Sequence, residues 1–160
     1  MMMNNLKLHT NIQQLNDLKC FNIKELNQLF KTGRCPKLES LNGSAKGIVI
    51  KPAWFERLNL WRGKVFNILA TGELTGLNRL GIGKIETQRY QFNAHIGKSL
   101  FSDQDVLIIN HDLSVNPNWV RRYHDEIVQI DPHIYLATSH YRIGKKLKFV
   151  SYFAFDFSKK

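Results

Sequence analysis

Little in this sequence can cross-link the chain or anchor it in a bilayer. Its 160 residues include two cysteines, Cys20 and Cys35. They lack C-x-x-C spacing and the companion ligands of a structural zinc site, so free thiols in a reducing compartment are expected. Long apolar runs are missing as well. None approaches the length of a membrane-spanning helix, and Met1 to Leu15 is interrupted by Asn, Lys, His and Gln, unlike a secretory signal. The expectation is a cytoplasmic protein with no membrane span, although export by a signal-independent route would leave no mark of this kind. Acidic residues are scarce: 13 Asp and Glu stand against 23 Lys and Arg, a net charge of +10. That excess favours anionic partners in general, from a carboxylate ligand or anionic lipid to nucleic acid, without selecting among them.

Complete catalytic and metal-binding motifs are absent too. The order Gly76-x-x-x-x-Gly81-Ile82-Gly83-Lys84 places Ile82 where a phosphate-binding loop needs Lys, and no Ser or Thr follows. Residues 71–84 are therefore expected to be a flexible Gly-rich loop. His9, His95, His133 and His140 show no ligand spacing, so neither a metal nor a cofactor is expected.

What the chain does contain is 43% hydrophobic and 11% aromatic residues, enough for the core of one domain over 1–160. Two short amphipathic helical segments are expected in 10–33. Thr10 with Gln13 has capping-box spacing before Ile12, Leu15 and Leu18. Asn22 with Glu25 forms an Asn-led box before Ile23, Leu26, Leu29 and Phe30, and Gly33 ends the second segment. This pair reads as a lid or plug on a sheet. A barrel over 47–157 follows, with strands at Gly47–Lys51 and Val65–Ala70 and a short helix near 52–61 that carries Trp54, Phe55, Leu58 and Trp61. Arg89–Leu100, Val106–Leu113, His124–Ile130, Ile134–Ile143 and Leu147–Phe157 then form an antiparallel meander. Between the second and third of these, Asn116 and Pro117 predict a helical turn bearing Trp119 and Val120. The fold class is mainly β, with about seven or eight strands closed or nearly closed on themselves.

The tract Asp112, Asn116-Pro117, Arg121-Arg122, Asp125-Glu126, Asp131-Pro132 and Tyr135-Leu136 resembles small bacterial lipocalin-like proteins of unassigned function, over about the last two thirds of the chain. The resemblance implies a calycin-type barrel. It carries no ligand class, because Trp54, Trp61 and Trp119 follow Pro52, Asn59 and Pro117 in place of the Gly-x-Trp glycine.

Turn chemistry gives registers. A three-residue loop at Gly144, Lys145 and Lys146 sets Ile143 opposite Leu147 and turns Tyr135, Ala137, Ser139, Tyr141, Phe149, Ser151, Phe153 and Phe155 inward. The small residues among them leave room for a ligand or for the amino-terminal helices. A type I turn at Asp131-Pro132-His133-Ile134 sets Ile130 opposite Tyr135 and brings Val128, Glu126, His124 and Arg122 to the same face. The alternative register places Ile127, Asp125 and Tyr123 inside and is disfavoured because it turns Val128 and Ile130 outward.

The expected function is binding of a small, partly apolar, anionic molecule, lipid-like or a carboxylate, in the barrel. Candidate ligand-binding residues are Arg122, His124, Glu126, Ser139, Tyr141 and Ser151, with His111 on an apolar face. The same polar cluster also reads as a satisfied network near a rim. An enzyme using His124 and Glu126 as an acid-base pair ranks second, behind simple binding. Weak nucleic-acid binding by the Arg142, Lys145, Lys146 and Lys148 hairpin tip ranks third.

Overall fold

A computed structural model describes residues 12–158; Thr10, with its expected cap, and His9 lie outside them. The described chain opens with a 3-10 segment, Leu15–Cys20, and helix α1, Ile23–Thr32. The Asn22 side chain accepts from the Glu25 N–H (3.0 Å), while the Asn22 N–H donates to the Glu25 carboxylate (2.8 Å). A 3-10 turn at Leu38–Leu41 leads into strand β1 (Gly43–Lys51), helix α2 (Ala53–Leu58), β2 (Trp61–Ile68), β3 (Leu74–Ile82), β4 (Ile85–Lys98) and β5 (Asp105–Asn110). After a 3-10 turn at Val120–Arg122 come β6 (Tyr123–Gln129), β7 (Ile134–Ile143) and β8 (Lys146–Asp156). All eight strands are antiparallel in chain order, and β8 pairs with β1 to close a barrel.

Residues 74–82, expected within a flexible Gly-rich loop, are strand β3. Gly76 shows why a glycine serves a strand here: a Cβ at that position would lie 2.1 Å from the Val65 carbonyl oxygen and 2.4 Å from the Phe92 ring. The missing side chain makes room for an aromatic core. Phe66, Phe92, Phe155 and Phe157 meet inside the barrel with Leu41, Leu74, Leu107, Ile127 and Tyr135, and fill one end of it.

The amino-terminal segments do not enter this interior. Leu15, Leu18, Leu26 and Phe30 pack on the barrel's outer wall against Ile48, Ile50, Val106, Val128, Leu136 and Ala154. They are neither plug nor lid over the interior. Their position also explains the register of β6, which is the alternative one: Gln129, Ile127, Asp125 and Tyr123 oppose Tyr135, Ala137, Ser139 and Tyr141. Val128 faces outward yet is fully buried, because α1 covers it. The expected turn does form, with the Ile134 N–H donating to the Asp131 carbonyl (3.2 Å). The Ile134 carbonyl, however, accepts from both Ile130 and Asp131, so Ile130 opposes Ile134 and every residue before it is shifted by one.

In the next hairpin the turn is the two residues Gly144 and Lys145, with Ile143 opposite Lys146, in place of a three-residue loop. A bulge between Ser139 and His140 then restores the expected pairs Ser139 with Ser151 and Ala137 with Phe153. Phe149, expected inside, instead opposes His140, and its ring packs on that outward imidazole. No helix among the described residues is long and apolar enough to cross a membrane.

Candidate functional site

At the barrel end opposite the phenylalanine cluster, the interior opens into a cavity of about 870 Å³. Its walls are mainly apolar, with Val49, Leu60, Trp61, Leu80, Val150 and Phe153 among them, and Ser139, Ser151 and Tyr123 add hydroxyls. The small inward residues thus divide: Ser139 and Ser151 line the cavity, whereas Ala137 belongs to the packed end. Trp54 and Phe55 of α2, Ile82 and Ile85 of the β3–β4 turn, and Trp119 also line it and are exposed. Ile82 and Ile85 each keep 77% of their surface. Such a concentration of bare apolar side chains is unusual on a soluble surface and common where a ligand or membrane is met.

A compact polar group stands among the cavity's lining. Lys64 lies in phase with Phe66 on β2, Asn78 with Leu74 and Leu80 on β3, and Asp125 with Ile127 on β6; His111 follows the end of β5 in phase with Ile109. Lys64 Nζ donates to Asn78 Oδ1 at 2.7 Å, lies 3.4 Å from His111 Nε2 and 3.5 Å from an Asp125 carboxylate oxygen, and sits 4.8 Å from the Phe92 ring centre. Trp61 Nε1 also donates to Asn78 Oδ1 (3.1 Å), and Asn78 Nδ2 donates to the Tyr90 carbonyl (2.9 Å). The other Asp125 oxygen, Oδ1, has no hydrogen-bond partner.

Burial lowers the affinity of Lys64 for its proton, against the pull of Asp125. His111 is driven down to about 4 by burial and then by the Lys64 charge, so its ring is neutral near pH 7. The Lys64–Asp125 ion pair remains. The polar group therefore has no net charge, and the chain's positive excess lies elsewhere.

The slip in β6 separates the expected site residues. His111, Ser139 and Ser151 line the cavity. Arg122 is exposed beside a polar groove of about 470 Å³ outside the barrel, with Arg121, His124 and Arg142. Tyr141 packs edge-on to Tyr123, ring centres 4.9 Å apart. His124 and Glu126 do pair, at 3.0 Å, but on the outer face. Glu126 is buried there beneath the 99–104 loop, accepting from Ser99 Oγ (2.5 Å) and the Leu100 N–H (2.8 Å). Burial alone would raise its pKa; the bonds from His124, Ser99 and Leu100 prevail and hold it below the usual range. Ser99 bonds the carboxylate and not the imidazole, so these three do not form a nucleophilic relay. Asn116, expected to cap a helix, instead donates from its side chain to the Gln91 and His111 carbonyls (2.7 and 2.8 Å), which ties the loop after β5 to the barrel.

Lys64, Asn78 and Asp125 were missing from the expected site. Lys64 has a legible signal, a charge in phase with Phe66 and Ile68. A strand expected to start at Val65, one residue later, leaves it out.

The sequence matches no known family model and no curated protein. Among solved structures, the crystal structure of a protein from Thermomonospora curvata is similar, with a TM-score of 0.51 and 9% identity over 87% of this chain and 89% of that one. At that identity the likeness concerns the fold alone, an eight-stranded closed antiparallel barrel in this chain.

Proposed function

We propose that this protein binds a small, largely apolar molecule inside its barrel, as a lipocalin-like carrier or sensor does. The observation that carries the reading is the cavity of about 870 Å³, apolar in its walls and with the Lys64, Asp125, His111 and Asn78 group among its lining. Binding sites for small molecules combine apolar walls with a few convergent polar groups, in volumes of roughly 300–1,000 Å³. The exposed Ile82, Ile85, Trp54 and Trp119 give an apolar ligand a path that it can follow without crossing a polar surface.

The acid-base reading of His124 and Glu126 has no such support, since neither residue lines the cavity. Native mass spectrometry of the purified protein, followed by organic extraction, tests the proposal. The expected result is a bound apolar species that Ser139→Phe, which narrows the cavity, displaces. A bare chain that also fails to bind a neutral fluorescent naphthylamine dye would sink it.

A further inference from the structure

We infer that the ligand of this cavity reaches the buried polar group with a hydrogen-bond donor, a hydroxyl or an amine N–H on an apolar skeleton, and not with a carboxylate or phosphate. This rests on the binding reading above and specifies its chemistry. It departs from the anionic ligand that net charge suggests.

The argument is a count of donors and acceptors. An ammonium has three N–H groups and no acceptor. Around Lys64 Nζ stand three acceptors, Asn78 Oδ1 at 2.7 Å, His111 Nε2 at 3.4 Å and an Asp125 oxygen at 3.5 Å. The Phe92 ring covers it further, at 4.8 Å. The lysine thus has no proton to spare for an incoming anion. With Nε2 accepting, neutral His111 keeps its proton on Nδ1. Asn78 spends Oδ1 on Lys64 and Trp61, and Nδ2 on the Tyr90 carbonyl. Trp61 spends its only N–H in the same bond.

What remains unpaired is Asp125 Oδ1, an oxygen that can only accept while the carboxylate is ionised, and the Nδ1–H of His111, a donor; a ligand hydroxyl can serve both. Asp125 is itself among the residues that line the cavity. Ser139, Ser151 and Tyr123 hydroxyls donate or accept as required, so they select nothing by themselves. A ligand hydroxyl or amine would give Asp125 the partner it lacks. A ligand carboxylate would instead bring a second negative charge to a Lys64–Asp125 pair already neutral, in surroundings too apolar to screen it.

The test uses N-phenyl-1-naphthylamine as a neutral fluorescent occupant, displaced by n-decanol or n-decanoate at neutral pH. These share one alkyl length and differ only in the head group. The expected result is displacement by decanol at a concentration at least about tenfold below that needed with decanoate, since a difference of roughly 1.4 kcal/mol is a factor of ten. Asp125→Asn, which removes the negative charge and supplies an N–H donor, is expected to erase most of the discrimination against decanoate. Decanoate binding as well as or better than decanol in the unmodified protein overturns the inference while leaving the cavity reading intact. So does discrimination that is unchanged in a folded Asp125→Asn protein. Failure of the dye to bind at all overturns the cavity reading, and the head-group inference with it. The comparison in the unmodified protein decides the matter even if Asp125→Asn does not fold.

Discussion

Replacing Asp125 with leucine leaves the Lys64 ammonium inside the barrel without its only carboxylate partner. Lys64 and Asp125 lie 3.5 Å apart, with side chains only 3% and 5% exposed. Removing one member of such a buried pair typically costs about 3–5 kcal/mol. Deprotonation limits the loss for Lys64: from its ordinary value of 10.5 to pH 7 is 3.5 units, or about 5 kcal/mol at roughly 1.4 kcal/mol per unit. Asp125→Leu is therefore expected to lose about 3–5 kcal/mol at pH 7. At roughly 2–4 °C per kcal/mol for a chain of this size, that lowers Tm by about 6–20 °C. Lys64→Met should lose a similar amount, because the stranded carboxylate can escape only by taking up a proton.

The double variant Lys64→Met with Asp125→Leu leaves neither charge. It is expected to recover most of the loss and to fall within about 1 kcal/mol of the parent or above it. Urea unfolding of all four proteins, followed by far-UV circular dichroism, gives the cycle. The reasoning fails if the two single losses simply add in the double variant to within about 0.5 kcal/mol, the behaviour of independent sites. A pair that adds little or no stability and yet stands among the cavity's lining suits a group retained for binding.

His111 gives a pH signature. Its folded-state value of about 4 lies below the ordinary 6.5, so between those values the unfolded chain holds the extra proton and stability falls as pH falls, by about 3 kcal/mol in all. Chemical denaturation at several pH values should show that slope, and His111→Gln should flatten it; an unchanged slope in the variant assigns it elsewhere. Glu126→Gln weakens the charge-assisted bonds that hold the 99–104 loop, at a cost of about 1–3 kcal/mol, and hydrogen exchange at Leu100 should quicken well before the barrel opens. Equal protection of that amide in both proteins would refute the latch. Ile82→Ser with Ile85→Ser, both side chains being 77% exposed, should shift stability by less than about 0.5 kcal/mol while slowing uptake of the naphthylamine dye in stopped-flow fluorescence. A large loss of Tm in this variant would mean that these side chains pack in the folded protein instead of standing free.

The sequence by itself determined most of the elements and pointed to a closed or nearly closed barrel; β3 is the exception, since its glycines read as a loop. The Asn22–Glu25 cap, the meander expected from residue 89 to 157 and the Ser139–Ser151 facing pair all follow from local chemistry: capping spacing, period-two alternation and short turns. Tertiary structure decided which face of each strand turns inward. Val128 and Ile130 looked like core residues, and Val128 is one, but the core it serves lies between the barrel wall and α1. Two apolar layers, one inside the barrel and one beneath the helices, give β6 apolar residues on both faces, so alternation alone cannot orient it. The carbonyl of Ile134 settles the matter by accepting two N–H groups, and no residue type announces that geometry. Once the slip is made, His124 and Glu126 pass from the cavity to the outer wall, and Tyr123 and Asp125 pass in. Lys64, Asn78, His111 and Asp125 come from four strands or their ends, up to 61 positions apart in the chain. Only barrel closure makes them neighbours, and only their mutual hydrogen bonds leave one carboxylate oxygen and one imidazole nitrogen unpartnered.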